Sequence, residues 1–336
     1  MAEFRQNFIT KEWVIVAEER AQRPADFPEQ QAPKPAVPAF REDCPFCAGH
    51  EDMTPGPVHV IEASGSWRVR VVPNKFAPLD PGDPGSRRMH GPFLAAGGHG
   101  IAEVVIETPH HDRGPDAQPV DGVRDMLRAY RARHLYLAAV PSVNLVTIFR
   151  NCGPAAGTSL EHPHSQIIAT PIVPPHVREP WRHALFHYDT NGRCAYCEMI
   201  EGELSERVRI VRETEHFVAL CPFASRSPYE TRIFPKRHHA AFSWINDREM
   251  DDLAGLLKDT LRRIRRRLSA PDYNYFIRSA ASGDEDVRFL HWYLAITPRV
   301  TTAAGFEIGS GIYINVTSPE RAAEHLRQVE FTREER

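Results

Sequence analysis

The sequence predicts an α+β protein of two related halves, each an antiparallel sheet with a helix packed on one face. Three observations carry that expectation. A Cys-x-x-Cys pair opens each half, at Cys44-Pro45-Phe46-Cys47 and Cys194-Ala195-Tyr196-Cys197. Each pair is followed by the same succession of apolar runs and one amphipathic segment, and periods of 2 and 3.6 residues read as strands and helices. Each half then closes on a strand opened by a histidine, His162 or His291. The expected order is strand, strand, helix, strand, strand, twice over. The halves, at residues 1–180 and 181–336, are expected to share a sheet or a core.

In the first half, residues 67–76 and 102–111 supply two strands. Val123, Met126, Leu127 and Tyr130 fall at helical spacing, and residues 143–150 form the strand that follows. In the second half, residues 216–223 and 229–239 echo the two strands. Met250, Leu253, Leu257, Leu261, Ile264 and Leu268 mark the helix, and residues 273–278 and 291–298 complete the set. The run Arg262-Arg263-Ile264-Arg265-Arg266-Arg267 flanks that apolar stripe, so it reads as a solvated helix face rather than a nucleic-acid patch. Prolines, 29 in all, cluster at 23–45 and 78–92 and read as long surface loops.

A chain of 336 residues with a net charge of -3 has room for a large core and no global attraction to nucleic acid or anionic membrane. It has no apolar run long enough to span a bilayer, and Met1-Ala2-Glu3-Phe4-Arg5 lacks a signal peptide's apolar core. The expectation is a soluble cytoplasmic protein with neither membrane nor nucleic acid as a partner. In that compartment paired cysteines bind zinc more often than they form bridges. Cys152 and Cys221 fall outside the pairs and read as small buried apolar residues.

The most reactive pattern is His162-Pro163-His164-Ser165-Gln166. On a strand, residues i, i+2 and i+4 share a face, so two imidazoles and an amide point one way. Such a set can hold a metal, attack a phosphorus atom and grip its oxygens. Upstream, residues 151–159 form a small-residue loop whose N–H groups can approach a phosphate closely. The chemistry reads as nucleotidyl transfer through a phospho-histidine. The repeat also sorts the metal ligands: Cys44, Cys47, His111 and His162 in one half, Cys194, Cys197, His238 and His291 in the other. His110 and His239 are adjacent alternatives. Two closed Cys2His2 sets suit two structural zinc ions per chain. Where the first half has His164 and Gln166, the second has Tyr293 and Ala295, so only the first half is expected to react.

These residues resemble the galactose-1-phosphate uridylyltransferase branch of the histidine-triad superfamily. The resemblance runs from Thr10-Lys11-Glu12-Trp13 and Arg20-Ala21-Gln22-Arg23-Pro24, through Cys44 to Cys47 and Val71 to Phe76, to the His-Pro-His-x-Gln motif. It implies two histidine-triad-like halves and a double displacement. His164 would attack the α-phosphorus of UDP-glucose, and galactose 1-phosphate would then take the uridylyl group. Gln166, Ser159 and the backbone around Gly157 would hold phosphate oxygens. Asn74 and Asn151 match positions that contact the nucleotide, and Arg20 and Arg23 match arginines near the phosphates. The segment around Phe306 matches a substrate-contacting stretch, and the family suggests a homodimer.

Hydrolytic members of the superfamily carry a third histidine where Gln166 stands; an amide cannot shuttle a proton, which favours transfer over hydrolysis. Two departures from the best-known uridylyltransferases point to a runner-up. Ser165 replaces glycine, and Ala303-Ala304-Gly305 lacks the lysine that usually precedes Phe306. Together with a tail like that of plant ADP-glucose phosphorylase, they make an ADP-sugar phosphorylase or adenylyltransferase the alternative. A zinc-containing nucleic-acid-binding or scaffold protein is the distant third reading, opposed by the charge balance.

Overall fold

The computed structural model describes residues 1–22, 37–82 and 87–331. The first half runs β1 (Glu3–Gln6), β2 (Trp13–Val16), β3 (His59–Ala63), β4 (Ser66–Pro73), β5 (Arg88–His90), β6 (Phe93–Ala95), β7 (Ile101–Ile106), α1 (Val120–Ala138), β8 (Leu145–Cys152) and β9 (His164–Thr170). Helices α2 (Pro175–Asn191) and α3 (Ala195–Glu206) lead to the second half: β10 (Ile210–Glu213), β11 (Phe217–Leu220), β12 (Thr231–Pro235), α4 (Asp247–Arg267), β13 (Tyr273–Arg278) and β14 (Tyr293–Pro298). α5 (Gly305–Ser310), β15 (Tyr313–Asn315) and α6 (Pro319–Arg327) close the chain.

Ten strands form one sheet in the order β10-β11-β12-β14-β13-β8-β9-β7-β4-β3. Counted inward from either edge the two sets match, β3 with β10, β4 with β11, β7 with β12, β9 with β14 and β8 with β13. The expected shared sheet is present, joined where β8 and β13 pair antiparallel, Phe149 opposite Phe276. The expected order lacked one element: an edge strand, β3 or β10, precedes the others in each half. Those strands are short and partly exposed, so their apolar periodicity is weak.

One face of the sheet buries α1 and α4. Met126, Leu127, Tyr130, Leu253, Leu257, Tyr275 and Trp292 form a single core across both halves. Truncating one of its large aromatic residues would cost about 3–5 kcal/mol. The helix α4 begins on a capping box, in which Asn246 accepts from the Glu249 N–H at 3.0 Å and Glu249 from the Asn246 N–H at 2.9 Å. Its arginines also make contacts within the chain: Arg263 donates to the Leu326 carbonyl at 2.8 Å, Arg265 pairs with Asp116 at 3.0 Å, and Arg262 covers the Phe331 ring. Arg265, Arg266 and Arg267 are exposed, the solvated face that the sequence predicts. The proline-rich stretch at 78–92 ends in the β5–β6 hairpin rather than in loop, with Gly91 at φ +60 making the turn.

The opposite face carries two smaller apolar clusters, one under each Cys-x-x-Cys. A three-stranded sheet, β1-β2-β15, ties the two ends of the chain together. Among the described residues no helix is long and apolar enough to cross a membrane.

Candidate functional site

Strand pairing places the site residues before any side chain is considered. Val104, Gln166, Phe149, Phe276, Ala295 and Arg232 are successive partners across β7, β9, β8, β13, β14 and β12. They form one row on one face. His164 lies two residues along β9 from Gln166, on the same side.

His162 stands just before β9, because Pro163 interrupts the ladder. Its Nε2 donates to the Thr108 carbonyl at 2.9 Å, which turns the Nδ1 lone pair inward, 3.7 Å from Cys47 Sγ. His111 Nδ1 faces the same sulfur at 3.5 Å. A tetrahedral zinc with ordinary Zn–S and Zn–N lengths requires S···N edges of about 3.6 Å. Cys44, Cys47, His111 and His162 are all buried, with donor atoms converging, so all four residues fit such an ion. Burial pushes the His162 pKa down to about 4, keeping the imidazole neutral as a metal ligand must be. The Arg41 and Phe46 backbone N–H groups aim at the sulfurs of Cys47 and Cys44, 3.4 and 3.5 Å away.

The second group is smaller than expected. Cys194, Cys197 and His238 converge, with Cys197 Sγ 3.3 Å from His238 Nδ1. His291 stands outside it: its Nδ1 lies 2.9 Å from the Trp292 carbonyl, although its ring centre is 5.6 Å from that of His238. That backbone bond holds one ring nitrogen away from the sulfurs. Neither alternative ligand joins a group. His110 is exposed, and His239 packs against Trp244.

His164 is 8% exposed, and burial lowers its pKa. Its Nδ1 donates to the His162 carbonyl at 2.8 Å, so the free lone pair sits on Nε2. Phe46, between the two cysteines, packs edge-on against both histidines, 5.9 Å from His162 and 5.4 Å from His164. The Cys/His cluster and the His164 imidazole therefore share one aromatic wedge. Phe46 does not stand out in the sequence, because an aromatic residue between cysteines carries no distinctive chemistry.

The loop after β8 is held by the second half. Asp272 accepts from the Ala155 N–H at 2.7 Å, while Asn274 donates to Asn151 at 2.8 Å and to the Ala156 carbonyl at 2.9 Å. At Gly153, φ is +86 and an added Cβ would lie 2.0 Å from the Asp272 carboxylate, so only glycine fits. Gly157 and Ser159 are exposed on this loop. Asn74 follows the end of β4, two strands from β9, and its side-chain oxygen accepts from the Phe76 N–H at 3.0 Å.

Other expected residues lie elsewhere. Arg20 lines a cleft on the second half, along with Ala303, Ala304 and Glu307 from the segment that carries Phe306. His164, Gln166, Asn74, Asn151 and Ser159 are not among that cleft's lining residues. Phe306 is exposed on α5. Arg23 falls outside the described residues.

Residues 1–174 match the family of the galactose-1-phosphate uridyl transferase N-terminal domain, and residues 127–336 match a domain of unknown function, DUF4921. An ADP-glucose phosphorylase of Arabidopsis thaliana is 35% identical, covering 98% of this chain and 93% of that protein. A galactose-1-phosphate uridylyltransferase of Thermotoga maritima is 30% identical, covering 98% and 99%. The crystal structure of an Arabidopsis ADP-glucose phosphorylase with bound ADP-glucose superposes with a TM-score of 0.84 at 31% identity, covering 98% of this chain and all of that one. With a matching family model over more than half its length and relatives of this identity along nearly all of it, the chain belongs to the galactose-1-phosphate uridyl transferase family.

Proposed function

We propose that the protein is a UDP-glucose:hexose-1-phosphate uridylyltransferase working through a covalent nucleotidyl-histidine. One observation carries the mechanism: the hydrogen bond from His164 Nδ1 to the His162 carbonyl, which leaves Nε2 as the nucleophile. Nε2 attacks the α-phosphorus of UDP-glucose. The bond from that phosphorus to the leaving oxygen breaks, and glucose 1-phosphate departs with the electron pair. The imidazole now carries positive charge, and the carbonyl accepting from Nδ1–H stabilises it. A phosphate oxygen of galactose 1-phosphate then attacks, and the P–N pair returns to Nε2. Gln166 supplies an amide for the non-bridging oxygens, assisted by Ser159 and the N–H groups near Gly157.

Zinc fits the four donors of the first group, where it would fix His162 and the cysteine loop as a closed structural ion. A second zinc is proposed on Cys194, Cys197 and His238. The halves at 1–180 and 181–336 would divide the work, the first reacting and the second shaping the site. The separation of Arg20 and Phe306 from His164 favours a homodimer in which one chain's second-half rim completes its partner's site. Asn74, Asn151 and, from outside the described residues, Arg23 are the remaining proposed substrate contacts. The protein is read as a cytoplasmic enzyme, in keeping with six cysteines that form no disulfide.

The runner-up is ADP-sugar phosphorylysis, favoured by Ser165, whose hydroxyl is bonded to Tyr130, and by the 35% identity to the Arabidopsis relative. Comparing kcat/KM for UDP-, ADP- and GDP-glucose with galactose 1-phosphate and inorganic phosphate as acceptors decides between them. UDP-glucose with the sugar phosphate is the expected best pair. A clear ADP preference with efficient use of inorganic phosphate would establish the phosphorylase.

A further inference from the structure

Behind the strand that carries His164 lies a buried chain of polar side chains. On β9 the side chain of Ser165 points away from those of His164 and Gln166, toward α1 and β13. Its hydroxyl bonds that of Tyr130, which bonds that of Tyr275 at 2.6 Å. Tyr130 also donates to Glu107 at 3.4 Å. Glu107 in turn accepts from Arg150 Nε at 3.1 Å, and Arg150 Nη1 donates to the Tyr273 hydroxyl at 2.9 Å. All six residues are buried, and two of them, Tyr273 and Tyr275, come from the second half.

The carboxylate sets the direction of the hydroxyl bonds. Glu107 can only accept, so the Tyr130 O–H points at it and the Tyr130 oxygen is left to accept from Ser165 and Tyr275. Burial, with Glu107 close by, pushes the pKa values of Tyr130 and Tyr275 well above the ordinary phenol range, so both keep the protons they donate. The segment that carries this carboxylate also grips the residues before His164: the Glu107 N–H donates to the Pro163 carbonyl at 3.2 Å, and the Thr108 carbonyl accepts from His162 at 2.9 Å.

The second half shows that the sheet does not need such a chain. Matching the two strand sets puts Leu294 where Ser165 stands, Pro235 for Glu107 and Ile277 for Arg150. Apolar side chains fill the same layer there, behind a strand with Tyr293 and Ala295 on its front. Buried hydroxyls and charges cost desolvation, and once fully bonded they rigidify what they hold. Any roll of β9 about its axis carries Ser165 one way and His164 and Gln166 the other. A tether on Ser165 therefore resists the motion that would swing the His164 Nε2 off line.

We propose that Ser165 is a positioning residue for His164, tethered from behind the strand by Tyr130 of the first half and Tyr275 of the second. The inference rests on His164 being the nucleophile and holds for either nucleotide sugar. In-line attack tolerates little misplacement, whereas donor binding draws on contacts elsewhere, so losing the tether should slow the covalent step and leave binding alone.

Rapid-quench measurement of covalent His164 labelling in the full chain, over a range of UDP-glucose and then of ADP-glucose concentrations, tests it. In Ser165→Ala the maximal labelling rate should fall about tenfold or more, with the half-saturating donor concentration within about twofold of the parent's. Tyr275→Phe, made in the other half, should show the same split to a smaller degree and decides the matter if Ser165→Ala fails to fold. Ser165→Ala combined with Tyr130→Phe should lose little beyond the larger single loss, because both break one bond. A lowered melting temperature with a normal maximal rate in the folded protein overturns the proposal, as does a loss confined to the half-saturating concentration. Fully additive losses in the pair overturn it too. A parent chain that neither donor labels refutes the catalytic reading and this inference with it; a labelled parent with unchanged variants refutes this inference alone.

Discussion

In the first half, Phe46 lies between two cysteines and packs on His162 and His164; in the second, Tyr196 lies between two cysteines and packs on His291 and Tyr293, 6.3 and 6.2 Å away. The wedge, the cysteine pair and the strand order survive in both halves. The proposed nucleophile, His164, and the amide of Gln166 are present in one. Behind them the cores differ too. The first half buries the Glu107–Arg150 pair at 3.1 Å, where the matched positions of the second half are Pro235 and Ile277. On the proposed mechanism the scaffold is separable from the chemistry, and a few positions on one strand face decide which half reacts.

The sharpest way to break that comparison is His164→Ala. We expect exchange of label between UDP-glucose and glucose 1-phosphate to fall by about three orders of magnitude or more, with thermal unfolding unchanged. Normal exchange would remove the mechanism. The reverse graft, Tyr293→His with Ala295→Gln in the His164→Ala background, should stay inactive, because Arg232 and Arg278 occupy the row beside it. Recovered exchange would mean that two residues suffice.

Metal removal distinguishes the two cysteine groups. Cys47→Ser removes the sulfur that both histidines face, so it should cost stability by several kcal/mol and activity with it. Cys197→Ser should lower the melting temperature while sparing exchange in the protein that stays folded. Zinc analysis and melting curves of both variants provide the check, and equal activity losses would contradict a division of roles.

Arg150→Ile copies the second half's residue and strands a buried carboxylate on Glu107, a loss of about 3–5 kcal/mol. Adding Glu107→Leu should recover most of it, since a well-packed apolar pair replaces an ion pair at little net cost. Denaturant melts of the single and double variants measure both. The smallest effect expected is a several-fold rise in hydrolysis relative to transfer in Gln166→His, because a third imidazole can activate water where an amide cannot. An unchanged product ratio, read by chromatography of UMP against UDP-sugar, would show that the amide is not what excludes water.

Much of this was legible in the chain. The two halves, the helix stripes and the four ligands around Cys47 follow from alternation, helical spacing and cysteine pairing, because each is set by residues close together or by donors of one chemical type. His164 stood out in the sequence for the same reason, and its role as nucleophile is the reading proposed above. Tertiary structure decided the rest. It drew His291 to its neighbour's carbonyl, put Asp272 and Asn274 of the second half under the first half's loop, carried Arg20 away from His164, and opened an arginine-lined cleft beside Tyr293. These depend on which strands pair and in what register. Strand periodicity alone leaves that open, because it does not name a strand's neighbour or register, and β11 and β7 are buried along nearly their whole length; the joint burial of α1, α4 and the β8–β13 seam selects one pairing.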